Sequence, residues 1–278
     1  MIVRVWLLTC LAVASVMSGA LAQAPGGPGS KPEMRESCPG MVAGDMPRVI
    51  PATTRLAALA SDQVRITFIG HATFLIESPR LVRIATDYND YVKAPVMPDI
   101  VTMNHAHSTH YTLNPDPRIP HVLHGWKENN RIPAFDLTVG DMHVTNQPTN
   151  IRAPGGGTEL YGNSIFVFET GGLCIAHLSH LHHILEPADV TALGHIDIVM
   201  VAVDGMWTMS QRDAARVVEQ LQPRVVLPMH YFTRDVLNTF LDLERDKYAI
   251  DIRDSPVLTI SRATLPVAPT VIALPGGD

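Results

Sequence analysis

Residues 99–111 read DIVTMNHAHSTHY, an apolar run that ends in three histidines, His105, His107 and His110. The same construction recurs twice. GLCIA (172–176) runs into HLSHLHH, with His177 and His180, and RVVLP (224–228) runs into Met229 and His230. Short apolar runs of this length read as strands covered on both faces. Three such strands ending at one edge of a sheet bring six imidazoles to one pocket. In an extended segment His105 and His107 point the same way, and His110 comes round again after a turn. Neutral imidazole is the commonest ligand for zinc and its neighbours, and a metal so held turns bound water into a nucleophile at neutral pH.

Working outward, VRITFIG from Val64 alternates in the manner of a half-buried strand. TFLIE follows the Gly70-His71 turn, and LVRIAT leads to Asp87. The second half alternates strand and helix: SIFVFE, LCIAHL, the short helix EPADVTAL opened by an acidic residue and proline, then the wholly apolar strand IDIVMVAV. Ser210 caps a helix whose Ala214, Val217, Val218 and Leu221 fall at i, i+3, i+4 and i+7. RVVLP, a helix over 234–244 and a closing strand VLTISR follow. Residues 114–163 are rich in Pro, Asn and Gly and read as loops with brief strands such as MHVTNQ. Gly155-Gly156-Gly157 lacks the spacing and the following Lys-Ser/Thr of a phosphate loop. The alternation gives an α/β layered domain.

Arg4, the apolar stretch VWLLTCLAVASVM and the triplet Ala20-Leu21-Ala22 read as a secretory signal peptide over 1–22, cut before Gln23. The expected product is exported, periplasmic or secreted, without stable membrane insertion. Its expected parts are a flexible leader (23–62, beginning APGGPGSKP), one domain (63–265) and a C-terminal tail (266–278). Removing 22 of 278 residues takes away one charge, Arg4, so the formal charge becomes 20 − 27 = −7. An acidic chain without basic runs is a poor holder of nucleic acid, so the expected partner is a small-molecule substrate. Cys38 and Cys174 remain as a possible disulfide. Cys174 lies an odd number of residues from His177 and faces away from it, as a buried structural thiol rather than a ligand.

The order Gly70-His71-Ala72, Asp87, His105-x-His107-x-x-His110, His177 and Pro228-Met229-His230 resembles the metallo-β-lactamase superfamily, over roughly residues 64–262. FIGHATFLIE (68–77) is similar to its broad branch of lactonase-like hydrolases and N-acyl-phosphatidylethanolamine phospholipase D-type proteins. The resemblance implies an αββα four-layer sandwich with a metal site at one edge. It also implies a first metal triad of His105, His107 and His177 with water or His180 as fourth ligand, and a weaker second site of His110 and His230, with His180 as a further candidate. Asp87 matches an aspartate near the family's ligands, suited to orienting an imidazole, and Asp204 ends a strand at the same edge.

The chain departs from the family's His-x-His-x-Asp-His and His-x-Gly-Asp motifs. Thr109 and His180 stand where the two metal-binding aspartates belong. Two divalent ions ~3.5–4 Å apart repel and need anionic ligands between them. Neutral imidazoles supply none, so one tightly held ion, zinc or another divalent transition metal, is expected. His71 reads as a support for the site, and His182 and His183 as its rim. The function expected is a metal-dependent hydrolase using a His-ligated metal-bound water on an ester, lactone, amide or phosphodiester. Asp87 and Asp204 are the candidate base or orienting groups. The alternative is a metal- or ligand-binding protein that kept the fold and lost turnover.

Overall fold

The computed structural model describes residues 59–153 and 156–276. The expected signal peptide, most of the leader and Cys38 lie outside those residues. Strands β1 (Val64–Gly70), β2 (Thr73–Glu77) and β3 (Arg83–Ala85) form the antiparallel meander, and β4 (Ile100–Met103) and β5 (His121–His124) extend it in parallel. Strand β13 (Val257–Ile260) pairs with β1 to close this six-stranded sheet at the other edge. On its outer face Glu77 sits between two cross-strand partners, 3.1 Å from Arg65 and 3.4 Å from Arg83.

The second sheet has eight strands. β6 (Asp136–Val139), β7 (Met142–Arg152), β8 (Thr158–Thr170) and β9 (Leu173–His177) run antiparallel. Beyond β9 lie β10 (Ile198–Ala202), β11 (Val225–Met229), β14 (Thr270–Ala273) and β12 (Ala249–Ile252), all parallel. Helices α1 (Pro187–Leu193), α2 (Gln211–Leu221) and α3 (Arg234–Glu244) make the crossovers. The Ser210 hydroxyl caps α2 by accepting from the Asp213 N–H, and Glu186 with Asp189 form a capping box on α1.

The unbroken apolar runs now have a cause, because both faces of β10 and β11 are covered. Ile198, Met200, Val225 and Leu227 join Ile66, Phe74, Phe166 and Phe168 between the sheets. Val199, Val201 and Val226 face the other way, against Ala214, Val218 and Phe240 of the helices. The resemblance implied a second helical layer on the outer face of the six-stranded sheet. Among the described residues that face is covered by loops instead: Tyr88, Ile119 and Trp126 pack over Ala85, Val101 and Met103. The α/β sandwich therefore holds, with its fourth layer irregular.

Three other expectations change. Residues 114–163 are not mainly loop, because β7 and β8 form a long hairpin from Arg152↔Thr158 to His143↔Glu169, with a bulge between Thr149 and Ile151. The segment read as a tail contributes β14, seated between β11 and β12. Cys174, buried in β9, is disulfide-bonded rather than a free thiol. No helix among the described residues is long and apolar enough to cross a membrane.

Candidate metal centre

Strand ends from both sheets deliver the site. His71 occupies the turn between β1 and β2, and Asp87 follows β3. His107 and His110 lie in the loop after β4, His180 and His182 in the loop after β9, Asp204 after β10 and His230 directly after β11. The His230 N–H donates to the His71 carbonyl at 2.7 Å, which ties the two sheets together at this edge. Three of these positions, and Ser179 beside His180, carry left-handed backbone: His71 (φ 52°), Asp87 (φ 43°), His230 (φ 58°) and Ser179 (φ 53°). A side chain there costs of order 1 kcal/mol each, and such strain concentrates where a chain must aim a functional group.

His107, His110, His180 and His230 converge, with one ligand atom from each lying within 4.8 Å of all the others. The Nε2 atoms of His107 and His180 are 2.9 Å apart, and those of His110 and His230 are 3.1 Å apart. Each ring is held from behind through Nδ1. His110 Nδ1 is 2.7 Å from Asp87 Oδ2, and His230 Nδ1 is 3.1 Å from Asp204 Oδ1. His107 Nδ1 is 2.7 Å from the Thr109 hydroxyl, and His180 Nδ1 is 2.7 Å from His182 Nε2.

The two carboxylates fix the tautomers of their rings. A carboxylate only accepts, so His110 and His230 carry their protons on Nδ1 and present bare Nε2 lone pairs to one another. His180 Nδ1 and His182 Nε2 share one proton, and His182 Nδ1 is left buried without a protein partner. The Thr109 hydroxyl lies between His107 Nδ1 and His71 Nε2, 2.9 Å from the latter, donating to one ring and accepting from the other. With the protons of His107 and His180 also on Nδ1, four lone pairs would meet at one point, an arrangement that repels itself unless a cation lies among them.

The residues fit one divalent ion. A tetrahedral zinc site with Zn–N of 2.0–2.1 Å needs nitrogens about 3.4 Å apart, so shifts of several tenths of an ångström would seat all four. Two carboxylates balance the ion's charge from one hydrogen bond behind the ligands, the arrangement that fixes ring orientation and raises imidazole basicity. The charge balance that six neutral rings lack on paper is therefore supplied by Asp87 and Asp204. No carboxylate belongs to the converging group among the described residues.

Burial, reinforced by neighbouring rings, pushes His107, His110 and His180 below the ordinary imidazole value of 6.5, and lowers His71 and His182 to about 4. Those five rings are neutral at pH 7, and His107, His110 and His180 are ready to ligate. Burial also raises the Asp87 carboxyl, against the pull of His177, Ser179 and Asn104. For Asp204 burial acts upward too, but hydrogen bonds from His230, Thr208 and the Met206 N–H outweigh it and hold the carboxyl below the usual range.

Two of the six histidines expected as ligands lie outside the group. His105 turns outward, its Nδ1 2.9 Å from Glu159 and its ring stacked 5.5 Å from Trp126. His177 points between the sheets on the side of Leu173 and Ile175, and its Nε2–H donates to the Ala72 carbonyl at 2.9 Å. The first triad implied by the resemblance is therefore not assembled, and His107 joins His110, His180 and His230 instead. Asp87 and Asp204 sit behind ligands, not among them.

Sequence reasoning did not anticipate Ser179 and Asn104. Asn104 donates to Ser179 Oγ at 2.6 Å, and Ser179 donates to Asp87 Oδ1 at 2.7 Å, completing the cradle of that carboxylate. Their proximity to the His clusters was the available signal.

A model of the beta-lactamase superfamily domain matches residues 65–230. The chain belongs to that superfamily. Among its relatives, a UPF0173 metal-dependent hydrolase of Methanosarcina mazei is 25% identical over 222 residues, covering 71% of this chain and 96% of the relative. A solved protein of Thermotoga maritima, assigned as a Zn-dependent hydrolase of the metallo-β-lactamase superfamily, is 27% identical. That match covers 76% of this chain and 98% of the other, with a TM-score of 0.55. CmlA of Streptomyces venezuelae, a diiron β-hydroxylase, is 12% identical, covers 73% of this chain and 55% of its own, and has the same TM-score, 0.55. That likeness is one of fold alone. Within the superfamily, activity has to be argued from the site.

Proposed function

We propose that this chain is a metal-dependent hydrolase working with a single divalent ion held by His107, His110, His180 and His230. The observation that carries the proposal is the convergence of four Nε2 atoms whose Nδ1 atoms are all engaged from behind. An ion in that cage would supply Lewis acidity and, where His107 or His180 gives up its place, acidified water, the chemistry needed to cleave an ester, lactone, amide or phosphodiester. The chain's own contribution is positional. Asp87 and Asp204 keep the protons of His110 and His230 on Nδ1, and Thr109 steadies the His107 ring through Nδ1 while anchoring His71. Zinc suits an all-nitrogen tetrahedral set, and imidazole donors also suit other divalent transition metals such as copper and nickel, which favour other geometries. The relatives named as metal-dependent hydrolases support this class of reaction.

The proposal is tested by loading the purified protein with zinc and screening ester, lactone and phosphodiester substrates. Turnover should vanish in His110→Ala and His230→Ala. Turnover that survives both substitutions rejects it.

A second reading is favoured by one observation: four imidazoles fill a tetrahedron, whereas catalytic sites keep a position open. On that reading the protein binds a metal without turning anything over. His107 and His180 are the rings not backed by carboxylates, so they are the ones able to yield. His180→Ala separates the two readings: the hydrolase keeps its ion on three rings and stays active, while a closed binding site loses affinity and shows turnover in neither form.

We also place the working protein outside the cytoplasm, on the strength of the signal-peptide pattern in residues 1–22. Sequencing the amino terminus of material from the exported fraction checks this, with Gln23 expected first.

A further inference from the structure

We infer that the loop after β10 and the first residues after β11 form a preformed apolar lip that selects substrates with an alkyl or aryl acyl group beside the scissile bond. This rests on the hydrolase reading and adds a substrate class to it. Met206 is 76% exposed, Trp207 61% and Phe232 60%, and the two aromatic rings stand at the metal cage. Trp207 lies 6.5 Å from His107, and Phe232 lies 5.5 Å from His230 and 5.9 Å from His71, measured between ring centres.

Exposed aromatics cost little when scattered singly, but two flanking one site form a surface that gains by being covered. The loop that carries Trp207 is held rigidly. Asp204 accepts from the N–H groups of Met206, Trp207 and Thr208 and from the Thr208 hydroxyl. On the other side, Arg152 donates to the Met206 carbonyl at 3.2 Å and to the Thr208 carbonyl at 3.4 Å. Phe232 follows Tyr231, whose hydroxyl is anchored on the Leu274 carbonyl at 3.0 Å. A ligand that covers these rings therefore gains apolar burial without first ordering a loop. The carboxylate that orients His230 also shapes the lip, so ligand geometry and substrate contact share one anchor.

Straight-chain hydroxamates of two to eight carbons, which present a metal-binding head and an apolar tail, test this by calorimetric titration into zinc-loaded protein. Full burial gives about fourfold per methylene, and a lip that covers one side of the chain gives about twofold, so affinity should rise about sixtyfold across six methylenes. Trp207→Ala and Phe232→Ala should each flatten that gradient. Val267→Ala, at an exposed position by the opposite sheet edge, should keep it. A gradient that is flat in the native protein, or unchanged in both aromatic variants, overturns the lip while leaving the metal reading standing. Failure of even the two-carbon hydroxamate to bind overturns the hydrolase reading, and the lip with it.

Discussion

Replacing Asp87 with Asn separates metal tuning from scaffolding. Asp87 is wholly buried and accepts from His110 Nδ1 at 2.7 Å and from Ser179 Oγ at 2.7 Å, one bond on each oxygen. An asparagine has one carbonyl oxygen and one NH₂ for those two places. If the oxygen faces His110, the NH₂ meets Ser179, whose hydroxyl can rotate to accept it. The charge behind the ligand is lost while the packing stays. Loss of such a partner weakens metal binding 10- to 100-fold, about 1.4–2.7 kcal/mol. The apo protein should respond differently. A buried carboxylate whose pKa is pushed up by burial carries a desolvation cost that the amide does not, so apo Asp87→Asn should melt near the native temperature. Zinc affinity measured by chelator competition, beside thermal melts of the apo forms, reads both quantities. Asp197→Asn is the control, since Asp197 holds the Cys174 N–H, His195 and Arg262 away from the cage. It should lower the melting temperature and leave affinity alone. Unchanged zinc affinity in Asp87→Asn refutes the orienting role.

Acidification should destabilise the apo protein. His71 and His182 titrate near 4 when folded but near 6.5 when unfolded, so the unfolded chain takes up more protons as the pH falls below 6.5. Melting temperature should drop steadily between pH 7 and pH 4, and a flat profile counts against neutral buried rings. The double change Thr109→Asp with His180→Asp installs both carboxylates that a paired centre needs, and metal analysis should then find about twice the metal per chain. Phe166→Ala removes a fully buried ring between the sheets and should cost about 3–5 kcal/mol in a urea titration. Ser210→Ala, which deletes the cap of α2, should cost about 1 kcal/mol in the same titration.

The parallel core was legible because IDIVMVAV and RVVLP are apolar on both faces, as only doubly covered strands are. The helices were legible through Ser210 and through the Glu186-Pro187 opening. The β7–β8 hairpin was not, because stretches such as TNQPTN combine turn-forming residues with a solvent-facing side, and only pairing with β8 makes them strand. Strands β12 and β14 are four residues each and are defined by their neighbours more than by themselves. At the site, the sequence showed which clusters hold histidine but not which rings converge. His177 was decidable in hindsight: it shares the period-two face of Leu173 and Ile175, which points between the sheets. His105 was not, because its outward turn depends on its N–H donating to the Gly162 carbonyl and on Glu159, more than fifty residues along the chain.

Zinc-reconstituted protein, freed of loose metal and studied by elemental analysis with X-ray absorption, addresses the single four-imidazole cage most directly. One zinc per chain in an all-nitrogen shell, lost on His230→Ala and kept on His105→Ala, is the expected result. Two zincs per chain, metal–metal scattering, or an ion that depends on His105 and His177 would contradict the account.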